Sequence, residues 1–178
     1  MTILKCSCER VTLELRGEPI LCSECHCNSC RTAADFIQKL PSSVQFRSSN
    51  GGTPYVLYRK DRVRCSAGEE LLKEIYLSEK SSSRRVVATC CRSPLFLEFK
   101  GGHWLSLYAS LWPEATRPKM EVRTMTSDLP DNSHLPNDIP NARTQSISFM
   151  LKLLRAWIAM GFRTSKAPTA AGGRLNIS

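Results

Sequence analysis

The sequence contains no long apolar run, and only 7% of its 178 residues are aromatic. A membrane-spanning helix needs roughly 18 or more consecutive apolar residues, so we predict no membrane span. The start of the chain, from Met1 to Cys6, has no apolar core followed by a small-residue cleavage site. We therefore identify no signal peptide, and we expect a cytoplasmic location.

Acidic residues are also scarce, with 16 against 25 basic ones, which gives a net charge of +9. A basic protein can attract anionic partners. A platform for single-stranded nucleic acid, however, needs aromatic side chains between the basic ones, because the bases stack on aromatic rings. That interleaving is missing here, so we expect no specific nucleic-acid partner.

What the chain does contain is cysteine, nine residues in all. Seven of them fall into three groups, which are Cys6-Ser7-Cys8, Cys25-His26-Cys27-Asn28-Ser29-Cys30 and Cys90-Cys91. Disulfides are rare in cytosolic proteins, and clustered cysteines there indicate metal or redox chemistry. A secreted disulfide scaffold is the less favoured alternative, since the chain is long for a stapled mini-fold.

The C-x-C-x-x-C group suits a zinc ion, which prefers four tetrahedral sulfur or nitrogen ligands. Cys27 and Cys30 can converge from one tight turn, and Cys25 adds a third thiol from the preceding extended segment. A closed, structural site would add Cys22 as the fourth ligand. An open, catalytic site would use the three thiols alone and leave one position for water or substrate.

The pair Cys6 and Cys8 needs partners from elsewhere in the chain, and Cys90 and Cys91 are the candidates. Adjacent residues of a strand point to opposite faces, so Cys90 and Cys91 can share a metal only across a bend or bulge. Cys65 is a further cysteine that could supply a ligand to this site.

The first 110 residues alternate in hydrophobicity with period two at several places, and turn residues separate these segments. The predicted strands cover residues 11–15, 55–58, 74–77, 85–88 and 95–99. We therefore predict a mainly β fold with antiparallel strands.

The later part of the chain divides into three segments after a domain at 1–112. Prolines break the segment 113–144, which we interpret as an extended loop. Residues 145–162 contain an amphipathic helix, and 163–178 form a basic, flexible tail. The apolar positions with helical spacing are Ile147, Met150, Leu151, Leu154, Trp157 and Ile158. We expect this stripe to dock on the β core, in preference to a membrane surface or an acidic partner.

The order of the cysteine motifs resembles the glutathione-dependent formaldehyde-activating enzyme family, whose domain is shared with centromere protein V. The motifs are the C-x-C at Cys6, the segment from Cys25 to Arg31, and Cys91 followed by x-Ser-Pro-Leu-Phe. The resemblance covers residues 4 to 110. It implies a mainly β, zinc-binding antiparallel sheet of the β-tent type, which here carries a C-terminal amphipathic helix.

The resemblance also implies two zinc sites. The family's structural site takes the N-terminal C-x-C, here Cys6 and Cys8, and a later C-x-x-C, whose last cysteine matches Cys91. Its catalytic site uses three cysteines, which match Cys25, Cys27 and Cys30.

The chain departs from the family pattern at three positions. Ala88 replaces the first cysteine of the later C-x-x-C, so the pair Cys90-Cys91 stands in its place. Glu9 and Arg92 occupy positions at which the family usually has glycine.

The function that the resemblance implies is carbon–sulfur lyase chemistry on a thiol–aldehyde adduct of the glutathione type. The predicted partner is thus a small thiol or its aldehyde adduct, and Arg31 could bind an anionic group of this substrate. His26 could donate a second-shell hydrogen bond, although simple packing is the preferred interpretation. The alternative function is a non-catalytic zinc-binding scaffold or interaction module.

Overall fold

The computed structural model describes residues 1–41 and 44–175; the last three residues of the predicted tail lie outside this part. Its strands are β1 Thr2–Lys5, β2 Thr12–Leu15, β3 Leu21–Cys25, β4 Thr53–Arg59, β5 Val63–Ala67, β6 Leu72–Ile75, β7 Ser83–Ala88, β8 Pro94–Phe99, β9 Trp104–Tyr108, β10 Val122–Thr124 and β11 Arg174–Leu175. Two α-helices accompany them in these ranges, α1 Asn28–Gln38 and α2 Ile147–Ile158. Neither helix is long and apolar enough to cross a membrane.

The described strands form two sheets. The smaller has the order β1-β2-β5, and the larger has the order β10-β3-β4-β9-β8-β7-β6-β11. Neighbouring strands are antiparallel except at the two edges of the large sheet, where β10 pairs with β3 and β11 with β6 in parallel. The mainly β fold with a C-terminal helix is therefore confirmed.

Both faces of the large sheet are buried, and they belong to different core clusters. On β4, Val56 and Tyr58 point to the face that packs against the small sheet. Tyr55 and Leu57 point to the other face, which the two helices cover. The alternation follows from the period of two along a strand, and it decides which cysteines can meet.

All five predicted strands are observed within a few residues of their expected bounds. Helix α1 was not expected. Its buried residues are Cys30, Ala33, Ala34 and Ile37, which is the i, i+3, i+4, i+7 pattern of a helix that rests on a core. The C-x-x-C spacing of Cys27 and Cys30 favoured a tight turn as the prediction for this segment, so the helical pattern of apolar positions was missed.

Helix α2 confirms the predicted amphipathic helix, and Ser146 caps it by accepting a hydrogen bond from the Phe149 N–H at 3.2 Å. The expectation that the stripe from Ile147 to Ile158 docks on the core is wrong. The helix is buried through Phe149 and Leu153 instead. All six side chains of the stripe are exposed, and Ile147 is 82% exposed, so the stripe faces solvent.

The segments 113–144 and 163–178 each contribute an edge strand to the large sheet, β10 and β11 respectively. In β10, Thr124 lies beside Cys25 of β3. The proline-containing segment therefore reaches the C-x-C-x-x-C motif. The division of the chain into four segments stays a prediction.

Candidate metal centres and the cavity beside them

The first cysteine group forms where two turns meet. Cys6 and Cys8 follow β1, and Cys90 and Cys91 lie in the turn between β7 and β8. One sulfur atom from each of the four lies within 4.8 Å of the others. The turn supplies the bend that two adjacent cysteines need in order to face the same point.

The sulfur–sulfur distances fit a tetrahedral zinc site. The Sγ of Cys6 lies 3.6 Å from that of Cys8 and 3.8 Å from that of Cys90, and the Sγ atoms of Cys90 and Cys91 are 3.8 Å apart. A regular tetrahedron with zinc–sulfur bonds of about 2.3 Å has edges of about 3.8 Å. A disulfide would need sulfurs about 2.05 Å apart, and all nine cysteines are free.

Two serines, one from each turn, form hydrogen bonds that connect the turns and reach the Cys91 sulfur. The Ser7 backbone N–H donates to the Ser93 Oγ at 3.0 Å, and the Ser93 Oγ lies 3.1 Å from the Cys91 Sγ. Burial alone would raise the pKa of Cys91, but hydrogen bonds from Ser7 and Ser93 lower this pKa to about 5. A thiolate, the form that binds metal, is thus favoured at this position.

The second group combines Cys25, Cys27 and Cys30, whose sulfur atoms also lie within 4.8 Å of one another. Cys25 ends β3, and Cys27 caps the N-terminus of α1, because its Sγ accepts a hydrogen bond from the Cys30 N–H at 3.3 Å. The carbonyl of Thr124 on β10 accepts the N–H of His26 at 3.0 Å. A strand end, a helix start and an edge strand therefore fix the three thiols.

Neither Cys22 nor Cys65 belongs to a metal-binding group within the described residues. Cys22 is three positions before Cys25 on β3, so its side chain points to the opposite face and packs in the other core cluster. Burial raises its pKa to about 12. Cys65 donates a hydrogen bond to the Ala67 carbonyl at 3.3 Å. The geometry therefore favours the three-thiol alternative for the second group.

A buried polar network holds the backbone between Cys25 and Cys27. His26 is fully buried, and its Nε2 lies 2.8 Å from the Glu24 Oε1. The same carboxylate accepts a hydrogen bond from Ser48 and forms an ion pair with Arg123. Burial alone would raise the pKa of Glu24, but the hydrogen bonds from His26 and Ser48 lower it. His26 thus takes part in a buried polar network and is not held by apolar packing alone.

The pKa values of Cys25 and Cys30 in the second group are shifted in opposite directions. Hydrogen bonds with Cys27 and Cys30 raise the pKa of Cys25 well above its ordinary value. The bonds from Cys25 and Cys27 hold the pKa of Cys30 well below that value, and the charge of Arg85 lowers it further. The Tyr55 hydroxyl donates to the Cys30 Sγ at 3.6 Å. Negative charge is therefore best stabilised at Cys30.

A cavity of about 370 Å³ opens directly beside this group, and all three thiols line it. Its apolar wall consists of Leu57, Leu97, Phe99, Trp104 and Phe149. Ligand pockets typically have volumes of about 300–1,000 Å³, so the cavity suits a compact ligand. The other cysteine group lies on the opposite face of the sheet, with Cys6 and Cys91 in the other core cluster.

Two arginines lie near the second group, but only one lines the cavity. Arg31 points to the helix start, where its Nη1 donates to the Asp128 carbonyl at 3.2 Å. Its proposed contact with substrate stays a prediction. Arg85 lines the cavity, and the sequence interpretation missed it. The signal available was the Arg84-Arg85 pair at the start of a predicted strand, where alternation sends one of the two inward.

Comparison with family models matches residues 1–126 to the model described as glutathione-dependent formaldehyde-activating enzyme. Among solved structures, a Rhodobacter sphaeroides protein is similar over 79% of this chain and 99% of its own. The identity to that protein is 13%, and the TM-score is 0.47. No curated protein matches the chain.

Proposed function

Since this chain belongs to the glutathione-dependent formaldehyde-activating enzyme family, we propose that it is a zinc-dependent carbon–sulfur lyase that acts on a thiol–aldehyde adduct. The reaction would take place in the cavity beside Cys25, Cys27 and Cys30. The observation that carries this assignment is the convergence of three thiols, without a fourth cysteine, on the wall of a ligand-sized cavity.

The proposed chemistry joins or separates a thiol and an aldehyde such as formaldehyde. In the forward direction the sulfur attacks the carbonyl carbon, the carbon–oxygen π pair moves to oxygen, and the oxygen takes the proton that the thiol lost. The lyase direction reverses each step. A zinc ion held by the three sulfurs would supply a Lewis acid that lowers the pKa of a thiol at its open position.

The chain's own groups would stabilise the negative charge of this site. Cys27 caps the N-terminus of α1 and Cys30 lies in its first turn, where the helix dipole favours anions. The Tyr55 hydroxyl donates to Cys30. The aromatic side chains of Trp104 and Phe149 would exclude water from the reacting atoms.

The four-thiol group at Cys6, Cys8, Cys90 and Cys91 would hold a second, structural zinc. A site with four cysteines has no open position. Its sulfur–sulfur distances support this assignment.

The test uses Cys27→Ser, which removes one thiol of the proposed reactive group. We expect the variant to lose about one zinc per chain, because three thiolates are the minimum for the site. We also expect its catalysis of S-hydroxymethylglutathione formation to fall to the uncatalysed rate. Elemental analysis measures the metal, and NMR exchange spectroscopy of formaldehyde with glutathione measures the rate.

The matched control is Cys22→Ala, which removes a buried cysteine of β3 whose side chain points to the other face of the sheet. It should keep both the metal and the activity. Catalysis unchanged by Cys27→Ser would contradict the site assignment. A wild-type protein with full metal content and no catalysis with glutathione or other small thiols would support the alternative, a non-catalytic zinc scaffold.

A further inference from the structure

Arg85 is a charged residue in the interior of the protein, with 1% of its surface exposed. It lies on β7 between Ile75 of β6 and Leu97 of β8, and it points to the face that carries the second cysteine group. It lines the cavity together with Cys30. A full positive charge therefore lies in the wall of the proposed reaction site.

The hydrogen bonds of Arg85 are incomplete. Its Nη2 donates to the Ser29 carbonyl at 3.0 Å and to the Ser29 Oγ at 2.8 Å. Among residues 1–41 and 44–175, its Nε and Nη1 have no hydrogen-bond partner, although both are buried. A guanidinium stays charged in proteins, so the side chain is a buried cation whose hydrogen-bonding capacity is only partly used.

The preceding residue gives the contrast. Arg84 points to the other side of β7 and forms ion pairs with Glu74 and Glu98. No carboxylate of the described residues forms an ion pair with Arg85. A buried guanidinium whose Nε and Nη1 lack acceptors is costly, so an anionic ligand group that reaches these atoms would be favoured.

We propose that Arg85 binds a carboxylate of the ligand and thereby directs the ligand's sulfur toward Cys25, Cys27 and Cys30. The ligand class is a compact thiol that carries a carboxylate. Guanidinium is the preferred donor for this group because its N–H bonds match carboxylate oxygens. The proposal rests on the proposed function for the thiol, but the carboxylate site is argued from Arg85 alone.

The remaining walls fit such a ligand. The apolar side chains of Phe99, Trp104 and Phe149 also line the cavity. A carbon chain that connects a carboxylate to a thiol would contact these side chains and lose its hydration there. The competing role for Arg85 is to neutralise the negative charge of the cysteine group. In that role it would give the cavity no preference for an anionic ligand over a neutral one.

The experiment compares two probes of equal size, 3-mercaptopropionate and its uncharged amide, 3-mercaptopropionamide. Isothermal titration calorimetry on the purified full chain at physiological salt gives both dissociation constants. We expect the wild type to bind the carboxylate at least about 10-fold more tightly, as a charge-assisted hydrogen bond predicts. Arg85→Gln should abolish this preference and leave the affinity for the amide unchanged.

The matched control is Arg84→Gln, which removes the same charge from the same strand outside the cavity. It should keep the preference for the carboxylate, whereas a general attraction to the basic protein would weaken in both variants. Equal weakening of both probes by Arg85→Gln, together with loss of metal by elemental analysis, would overturn the proposal in favour of the counter-charge role.

A variant that fails to fold does not prevent a decision. Circular dichroism identifies that case, and Arg85→Lys, which keeps the charge, should then retain part of the preference. Equal affinity of the wild type for the two probes overturns the proposal without any variant. A preference for the carboxylate without aldehyde addition would instead contradict the proposed function and leave the carboxylate site standing.

Discussion

Two residues that follow cluster cysteines hold the left-handed backbone conformation. Glu9 has φ of 61° and Arg92 has φ of 59°. A residue with a Cβ atom pays roughly 1–2 kcal/mol for this conformation, whereas glycine adopts it freely. The sequence resemblance implies glycine at both positions. The chain therefore forms the turns that bring the four thiols together with residues less suited to them than glycine.

Replacing Arg92 by glycine should stabilise the protein. The relief of backbone strain exceeds the extra entropy that glycine gives to the unfolded chain, so we expect the free energy of unfolding to rise by about 0.5–1 kcal/mol. Chemical denaturation monitored by tryptophan fluorescence measures the change. Arg92→Ala is the control, because alanine keeps the strain. An equal gain from both variants would assign the effect to the arginine side chain instead.

At the scale of single residues, the spacing of the cysteines was enough to predict most of the candidate site from the sequence. Cys25, Cys27 and Cys30 stood out because few other patterns place three thiols so close. Cys90 and Cys91 can face the same candidate metal site only because they lie in a turn, which strand periodicity cannot predict. Arg85 stayed hidden because an arginine in a strand usually faces solvent, and only the burial of both faces of the sheet makes its position unusual.

The helices were less predictable than the strands at the scale of elements. Helix α1 is short, and its buried positions are mostly small residues whose hydrophobic signal is weak. For α2, the stripe of large apolar residues suggested the wrong face. The helix rests on Phe149 and Leu153, and the Leu153 carbonyl accepts a hydrogen bond from His103 at 2.8 Å. Tertiary contacts, not the number of apolar residues, decide which side is buried.

The orientation of α2 can be tested with two neighbouring leucines. Leu153 is buried and Leu154 is 44% exposed. We expect Leu153→Ala to lower the free energy of unfolding by about 2–3 kcal/mol through loss of packing and a residual cavity. Leu154→Ala should change it by less than about 0.5 kcal/mol. Thermal denaturation compares the two, and the reverse order would mean that the predicted stripe docks after all.

At the scale of the whole molecule, the two cysteine groups lie on opposite faces of the large sheet. The group at Cys6, Cys8, Cys90 and Cys91 connects the start of the small sheet to the turn between β7 and β8. A metal bound by these four cysteines would cross-link the two sheets through its coordination bonds. The other group lies at the surface of a cavity and has no such linking position.

Removal of metal should therefore lower the stability of the whole protein. We expect dialysis against a strong chelator to lower the melting temperature by at least about 10 °C, because structural zinc sites contribute several kcal/mol. Added zinc should restore it, whereas magnesium, which prefers oxygen ligands, should not. Differential scanning calorimetry measures the effect.

The control for this experiment is Cys65→Ser, which leaves both groups intact and should show the same loss and recovery as the wild type. Metal-free protein, verified by elemental analysis, with an unchanged melting temperature would contradict the structural role of the four-thiol group.

Phe149 forms part of the cavity wall, yet it lies beyond residue 126, where the family match ends. The three thiols of the second group and this part of the wall thus come from separate stretches of the chain. Substitutions in α2 can reshape the space available to a ligand without moving any thiol, provided that Leu153 keeps the helix in place. The part of the chain beyond the family match thereby helps to set the shape of the cavity, whereas the thiols belong to the part that matches.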